Sequence, residues 1–566
     1  MGYNCLLYVF TPVSLMCSNW YLTYTPQGHE SRLNLDTEGD PSNRMYTRAL
    51  PVPRQLLDLP QQWRQVLTPT IILFFVPLIF FFFLARCWSS RLSKKGRLHL
   101  PPCPPGLPIL GNLQQVGALP HRSLWKLARR HGPVMMLRLG RVRTVVVSSA
   151  EAAREVLMTH DADCCNRPDT PGPRRLSYDH KDVTFGPYSK HWRDRRKLFV
   201  VEFLSKRRVQ ATWYAREAEM EKLISRLTSA EARPVSMEDH IFEYMNSIIG
   251  TVAFGNVYVT KQFTHKKHFH DAIDEAMRVR SSFFSAEDYF PNALGRLVDC
   301  VTGVALLREK VFREFDAFYE TIIEQHLNPS CAKSGKNGSL IDVLIGLMKD
   351  HQGSLTFNRD HVKAILTNTF IAGISTGSVT MVWAMAELIR NPWILKKVQD
   401  EIRTMMVQPE DLPKLKYLKM VVMETLRLHP AVPLLVPRVT LRNIKISGYD
   451  VPAKTRLFLN TWAIGRDPTN WDNPEEFNPD RFEGKDVKFD GTHFEFLPFG
   501  AGRRMCPGMA MGLATIEFTL ANLLYSFNWN LPEGATVEGM SMEEAEGLTV
   551  HKKTPLMLVP TRYKWQ

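Results

Sequence analysis

The sequence predicts a mainly α protein with small β-sheets, an α+β arrangement built as one large body. Between residues 106 and 566, apolar residues recur mostly at helical spacing, and no internal repeat or second linker interrupts the stretch. Strand-like segments are few and short. The chain of 566 residues is 44% hydrophobic and 23% charged, an ordinary globular mixture, and its nine cysteines exclude a disulfide scaffold.

Individual elements follow from local periodicity and composition. Apolar residues repeat every three to four positions in five clear helical segments: Ala150–Thr159, Arg207–Ser229, His361–Arg390, Trp393–Met406 and Lys416–Leu428. β-Branched and alternating residues predict five strands: Val134–Leu139, Arg143–Ser148, Ile444–Ile446, Arg456–Asn460 and Pro555–Val559. The glycine motifs for dinucleotides and nucleoside triphosphates are absent from the sequence, so the chain is expected to bind neither.

The first hundred residues predict attachment to a membrane. Residues 66–85 carry no charge, and about 20 apolar residues span a hydrocarbon core of about 30 Å. A basic, proline-rich linker at 86–105 follows, and by the positive-inside rule its cations place the rest of the chain in the cytosol. Residues 1–65 are interpreted as an atypical, poorly ordered extension. The body is then the domain at 106–566.

The charge balance narrows the choice of partners. The chain has 71 basic and 57 acidic residues, a net charge of +14. Such an excess suits an anionic membrane or an acidic protein. No dense basic block interleaved with aromatic residues occurs, so a nucleic acid is not expected.

The sequence around one cysteine favours a thiolate that acts as a metal ligand. Cys506 follows two arginines in a glycine-rich loop and precedes a helical segment, within the stretch Phe499–Gly508. Glycines allow backbone N–H groups to face the sulfur, and the arginines and helix start favour a thiolate. A free cysteine is more often a small buried apolar residue, but this loop favours a ligand.

The loop resembles the haem-binding signature of cytochrome P-450 enzymes, F-x-x-G-x-R-x-C-x-G. Its five fixed positions are filled by Phe499, Gly502, Arg504, Cys506 and Gly508. The resemblance extends over about residues 100–566 and is nearest to the plant microsomal type. It implies the P-450 fold and haem b, with Cys506 as the axial ligand of the iron.

Further motifs of that family occur in the expected order. Glu424 and Arg427 match its E-x-x-R helix, and Arg481 matches the arginine of P-E-R-F, here with Asp for Glu. At i,i+3 the first two face the same side and can pair. The resemblance implies a structural network in which both arginines flank one carboxylate.

The same resemblance predicts that four residues hold the haem propionates. Trp192 and Arg196 match its W-x-x-x-R helix, and Arg438 and Arg504 match its other propionate partners. A guanidinium pairs bidentately with a carboxylate, which suits this role.

The segment Phe370–Glu387 resembles the oxygen-activating helix of the family. Gly373 is expected to allow close approach to the haem, and Thr376 to hydrogen-bond bound dioxygen and organise proton delivery. Its hydroxyl could instead bond the carbonyl four residues earlier. Ser375 occupies the position of the usual acid, which predicts slower or leakier proton delivery.

The resemblance also places apolar segments around the substrate, although core packing is the alternative for each residue. A small lipophilic molecule suits such a lining. The residues expected there are Ala372, Val432, Leu434, Leu548 and Thr549.

The implied function is a haem-thiolate monooxygenase that oxidises a small lipophilic specialised metabolite. It would use molecular oxygen and electrons from NADPH through NADPH–cytochrome P-450 reductase, on the cytosolic face of the endoplasmic reticulum membrane with a single span. The alternatives are a lyase, isomerase or dehydratase that needs no dioxygen, suggested by Ser375, and a haem protein without catalysis.

Overall fold

The computed structural model describes residues 98–255, 266–281, 283, 285–328, 338–349, 357–404 and 409–565. Residues Leu100–Gln566 form one compact unit. The predicted extension at 1–65, the anchor at 66–85 and the linker up to residue 97 lie outside the described residues. The structure of the anchor therefore stays a prediction.

Helices dominate this part of the chain, as the periodicity predicts. In chain order they are α1 (Pro120–His131), α2 (Ala150–Arg154), α3 (Asp161–Cys164), α4 (Pro171–Leu176), α5 (Lys190–Phe199), α6 (Lys206–Ala211), α7 (Trp213–Ser229), α8 (Met237–Phe254), α9 (Lys266–Arg280), α10 (Ala293–Val301), α11 (Val304–Leu327), α12 (Leu340–Lys349), α13 (Arg359–Arg390), α14 (Pro392–Arg403), α15 (Lys416–Leu428), α16 (Thr461–Ile464) and α17 (Met509–Ser526).

The strands are short and form small sheets. They are β1 (Val134–Leu139), β2 (Val142–Val147), β3 (Val235–Ser236), β4 (Arg438–Val439), β5 (Ile444–Ile446), β6 (Tyr449–Val451), β7 (Arg456–Leu459), β8 (Phe527–Asn530) and β9 (Met557–Arg562). The largest sheet has the order β1-β2-β7-β4, in which only β2 and β7 run parallel. A second sheet has the order β3-β9-β8, and β5 pairs with β6.

Helix α13 forms the centre of the core. Asn358 caps its first turn in a capping box with His361. Most of its length is buried. A Cβ atom on Gly373 would lie 3.0 Å from Ile249 of α8, and one on Gly377 would lie 2.7 Å from Met245. These two glycines therefore let α8 pack closely against α13.

The observed limits of some helices and strands differ from the predicted ones. The helix expected over Arg207–Ser229 divides at Thr212, whose hydroxyl donates to the Arg208 carbonyl at 3.0 Å and competes with the helical backbone. The last strand begins at Met557 and not at Pro555, because its pairing with β8 and β3 sets its extent. The predicted strand at Arg143–Ser148 is observed as β2, shifted by one residue.

Among the described residues, one helix is long and apolar enough to cross a membrane. It is α13, and 78% of its apolar window is buried inside the protein. It is therefore the central helix of the body.

Candidate functional site

Backbone conformation and a backbone hydrogen bond determine the shape of the Cys506 loop. Gly500 and Gly502 have φ values of +66° and +69°, a conformation that favours glycine. A Cβ atom on Gly502 would lie 2.5 Å from the Leu157 carbonyl oxygen. The Cys506 N–H donates to the Phe499 carbonyl at 2.9 Å, and α17 begins three residues after the cysteine. The loop therefore fixes the direction of the sulfur.

The electrostatics around the sulfur suit a bound cation. Desolvation raises the pKa of the Cys506 thiol, while the N–H groups of Gly508 and Met509 and the Arg196 guanidinium act in the opposite direction. Cys506 is exposed to solvent although protein atoms surround it closely, so a ligand can reach the sulfur. A metal ion on the sulfur would deprotonate it outright, and the two N–H donors would stabilise the thiolate.

Four arginines gather beside this loop, close enough for each to disfavour the charge on others. They are Arg167, Arg196, Arg438 and Arg504. Desolvation lowers the pKa of Arg504 to about 10 and lowers the pKa of Arg167 well below its usual range. Such crowding of buried cations is unfavourable without anions nearby.

The carboxylates around this cluster do not balance it. Asp161 accepts bonds from Arg438 and Arg503, each at 2.9 Å. Asp182 is also buried there, and desolvation raises the pKa of its carboxyl group. The remaining positive charge fits a cofactor with two acidic groups. Together with one sulfur ligand, this donor set fits haem.

The arginines of the cluster are held by main-chain carbonyl groups. Arg504 donates to the carbonyls of Cys165 at 2.8 Å and Gly186 at 2.6 Å. Arg167 donates to the carbonyls of Thr184 at 2.9 Å and Pro437 at 2.8 Å. Their guanidinium groups are thereby placed before any anion binds.

Trp192 packs against the cluster. Its ring lies 3.8 Å from the guanidinium carbon of Arg504, and its indole N–H donates to the Val183 carbonyl at 2.8 Å. Arg196 of the same helix donates to the Met505 carbonyl, which brings α5 against the cysteine loop. The predicted contact of Trp192 and Arg196 with a propionate stays a prediction.

One face of α13 is open although the helix is buried elsewhere. Ala372 is exposed, and Gly373 and Thr376 are half-buried. The Thr376 hydroxyl donates to the Ala372 carbonyl at 2.7 Å, the backbone bond that was the alternative for this residue. The missing side chain of Gly373 makes room for Ile249, so its predicted role toward the haem stays a prediction.

The structure brings the predicted substrate segments together. Ser375 bonds Thr549 at 3.0 Å, and the Val550 N–H donates to the Ala431 carbonyl at 3.1 Å. The individual residues predicted to line the substrate differ in their packing and burial. Leu434 packs against apolar residues of the large sheet, and Leu548 packs against the main hydrophobic core. Thr549 is buried, and Val432 is half-buried.

The predicted structural network is formed completely. Glu424 accepts two bonds from Arg427, at 2.7 and 2.8 Å, and one from Arg481 at 2.9 Å. The N–H of Asn478 donates to the same carboxylate at 2.8 Å. The side chains of Glu424 and Arg427 are wholly buried.

Sequence reasoning missed three residues at this site. Arg167 and Asp161 belong to the charge cluster, and His551 bonds Thr549 at 3.0 Å. No local motif marks them, because each reaches its partners through tertiary packing. Only the proximity of His551 to the predicted Thr549 gave a signal.

Replacement of Asp161 by asparagine is expected to destabilise the protein. The change leaves buried Arg438 and its neighbours without their main counter-charge, which costs about 3–5 kcal/mol in the free energy of unfolding. Asp163→Asn is the matched control on the same helix, because its partner Arg442 is exposed. Urea unfolding measures both variants, and equal effects would contradict the role of Asp161.

A mainly helical body in which one accessible cysteine lies beside an excess of arginines fits a haem-thiolate protein. The chain belongs to the cytochrome P-450 family, whose model matches residues 101–559. Members carry haem b through a cysteine thiolate. The predicted P-450 fold and cofactor are thereby confirmed.

Relatives of known activity extend this result. The chain is 55% identical to 4-hydroxyphenylacetaldehyde oxime monooxygenase of Sorghum bicolor, over 92% of this chain and 99% of that one. It is 44% identical to 2-methylbutanal oxime monooxygenase of Manihot esculenta, over 90% and 99%. The prediction of a P-450 monooxygenase acting on a small metabolite is confirmed, and a reaction that needs no dioxygen is not favoured.

Solved structures agree on the fold. A zebrafish cytochrome P-450 with abiraterone matches with a TM-score of 0.65 at 23% identity, covering 79% of this chain and all of that one. A zebrafish cytochrome P-450 with progesterone matches with a TM-score of 0.65 at 25% identity, covering 78% and 99%. Family membership implies a redox partner, molecular oxygen and a lipophilic substrate.

Proposed function

We propose that this protein is a monooxygenase of small aldehyde oximes. The observation that carries the proposal is the 55% identity to an aldoxime monooxygenase across 92% of the chain. The cleft agrees with such a substrate. An aldoxime has one compact polar head and an apolar remainder, and the accessible face of α13 offers the Thr376 hydroxyl beside Ala372 and Gly373.

In this proposal Cys506 would hold haem b through its thiolate. The N–H groups of Gly508 and Met509 stabilise the charge on sulfur. Arg438 and Arg504 would hold the propionates, and Trp192 and Arg196 would complete that side. When bound, haem supplies the activation of dioxygen. The protein orients the substrate, excludes water and delivers protons along α13 near Thr376.

The electron donor is proposed to be NADPH–cytochrome P-450 reductase. Arg193 and Lys197 of α5 and Arg503 of the cysteine loop are exposed. The bond from Arg196 to the Met505 carbonyl holds α5 beside that loop, so these cations share one side of the molecule. An acidic partner would be steered to this side, nearest to the sulfur.

The protein is proposed to lie on the endoplasmic reticulum membrane, held by the single span at 66–85 with its body in the cytosol. Two exposed apolar groups support membrane contact: Leu107 and Ile109 near the start of the body, and Leu294, Leu297 and Val301 on α10. The turn at Gly140–Arg141 joins them, because Gly140 N–H donates to the Leu110 carbonyl and Arg141 N–H to the Tyr289 carbonyl. Exposed apolar side chains that cluster in this way are typical of membrane or protein contacts.

The substrate class is tested with the full-length protein and a plant reductase in microsomes. We expect 4-hydroxyphenylacetaldehyde oxime to shift the haem spectrum on binding and to be consumed only with NADPH and oxygen. The matching carboxylic acid is the control, because no cationic side chain is expected to line the substrate cleft. Mass spectrometry follows the product. Protein that shows an intact carbon-monoxide spectrum but consumes no aldoxime would refute the proposed function.

A further inference from the structure

Three side chains form a hydrogen-bonded chain that leads away from α13. Ser375 Oγ lies 3.0 Å from Thr549 Oγ1, and Thr549 Oγ1 lies 3.0 Å from His551 Nε2. Ser375 and Thr549 are buried, whereas His551 is half-buried. The chain therefore connects a buried position on α13, next to Thr376 in the sequence, with a residue nearer to solvent.

Ser375 differs from the other hydroxyl residues in this part of α13. Each of the others donates to the carbonyl four residues earlier, as helix hydroxyls usually do: Thr367, Thr369, Thr376, Ser378 and Thr380. The hydrogen bond of Ser375 instead leaves the helix and reaches Thr549. Its direction is set by tertiary contacts.

Neighbouring bonds hold the far end of this chain in place. The Trp383 indole N–H donates to the Val550 carbonyl at 2.9 Å, and the Val550 N–H donates to the Ala431 carbonyl at 3.1 Å. The Ala545 N–H donates to the His551 carbonyl at 2.8 Å. Thr549 and His551 are thus fixed by bonds on both sides, which keeps the two hydroxyls and the imidazole within bonding distance.

We propose that Ser375, Thr549 and His551 form a proton path that replaces the acid missing at position 375. The inference rests on the proposed monooxygenase function. Each hydroxyl accepts one hydrogen bond and donates another, and an imidazole exchanges protons near neutral pH. Thr549 and His551 act through Ser375 and do not touch the reacting atoms.

The proton balance follows from the overall reaction. Insertion of one oxygen atom into the substrate uses O2, two electrons supplied by NADPH and two protons, and releases one water. Each proton leaves Ser375 Oγ toward the cleft, Ser375 takes one from Thr549, and Thr549 takes one from His551. Solvent then restores the proton on His551. When delivery is slow, the same two electrons and two protons leave with O2 as hydrogen peroxide.

The hydrogen-bonded chain is tested first without turnover. Diethyl pyrocarbonate modifies accessible neutral imidazoles, and peptide mass spectrometry reports the rate at His551 in the full-length haem-loaded protein. We expect Thr549→Val to raise this rate about threefold, because the ring loses its hydrogen bond to Thr549. Thr380→Val, which removes a hydroxyl bonded only to backbone, is the matched control and should leave the rate unchanged. Equal modification rates at His551 in the wild type and both variants would refute the hydrogen bond between Thr549 and His551, and with it the hydrogen-bonded chain.

Its role in proton delivery is tested by coupling. Thr549→Val and His551→Phe are expected to lower product formed per NADPH about tenfold and raise peroxide accordingly, since positioned proton donors contribute large factors. Thr549 belongs to the predicted substrate lining, so the unchanged substrate KM is expected of His551→Phe, which lies outside that lining. Thr549→Ser, which keeps the hydroxyl, should couple like the wild type, and Ser375→Asp should restore coupling in the Thr549→Val background. Coupling that is unaffected by Thr549→Val, or not rescued by either change, would overturn the proposal.

These outcomes are separable from failure of the proposed function. Should the wild type consume no aldoxime, the substrate proposal fails. Two measurements that need no substrate still test the proton path: the modification rate at His551 and the peroxide released per NADPH consumed. A carbon-monoxide difference spectrum first verifies that each variant is folded and loaded.

Discussion

Replacement of Cys506 by serine is expected to abolish the haem-thiolate spectrum. A hydroxyl holds its proton far more tightly than a thiol, so serine offers no anionic soft ligand to iron. The N–H groups of Gly508 and Met509, which stabilise charge on sulfur, then face a neutral oxygen. The carbon-monoxide difference spectrum of the reduced protein and the haem content per chain measure the effect, and aldoxime oxidation should fall to background.

Cys165→Ala is the matched control for this experiment. Cys165 lies beside the same arginine cluster, since its carbonyl accepts a bond from Arg504, but it is buried and desolvation raises its thiol pKa. Its main-chain bond survives the change, so the spectrum should be retained. A protein that loses the spectrum with Cys165→Ala and keeps it with Cys506→Ser would refute the ligand assignment.

Local motifs made the centre of the site predictable. The Cys506 loop is specified by residues within ten positions of one another, and the spacing of Glu424 and Arg427 places both on one side of a helix. The resemblance supplied Arg481, and the structure brings it to the same carboxylate. In each case the chemistry depends on residues whose spacing in the sequence is itself informative.

The remainder depends on distant contacts that no spacing reveals. Asp161 and Arg438 pair across 277 positions, and Ser375 and Thr549 across 174. Gly373 shows a different difficulty. Its motif predicts close approach to haem, which stays a prediction, and the structure shows that a Cβ atom there would meet Ile249 of α8. Glycine in a helix signals a close neighbour without identifying it.

Glu424→Gln is expected to prevent accumulation of folded, haem-loaded protein. Glutamine has nearly the same shape but no charge, and it would leave Arg427 buried and Arg481 nearly so without their shared carboxylate. Breaking a buried ion pair costs about 3–5 kcal/mol, a large part of a typical total stability of about 5–15 kcal/mol. The yield of protein with a carbon-monoxide spectrum and the urea midpoint measure the loss.

Asp450→Asn supplies the comparison, because its partner Lys445 is exposed and Asp450 is only half-buried, and ion pairs at the surface contribute about 0–1 kcal/mol. Arg427 also donates to the carbonyls of Gly465, Pro474 and Glu476, so the Glu424 network ties α15 to the segment that leads to Arg481. This arrangement assigns it a role in holding the body together and none in proton delivery. Molecules of Glu424→Gln that do fold should therefore form product per NADPH as the wild type does. A stable variant with lowered coupling would contradict the structural role.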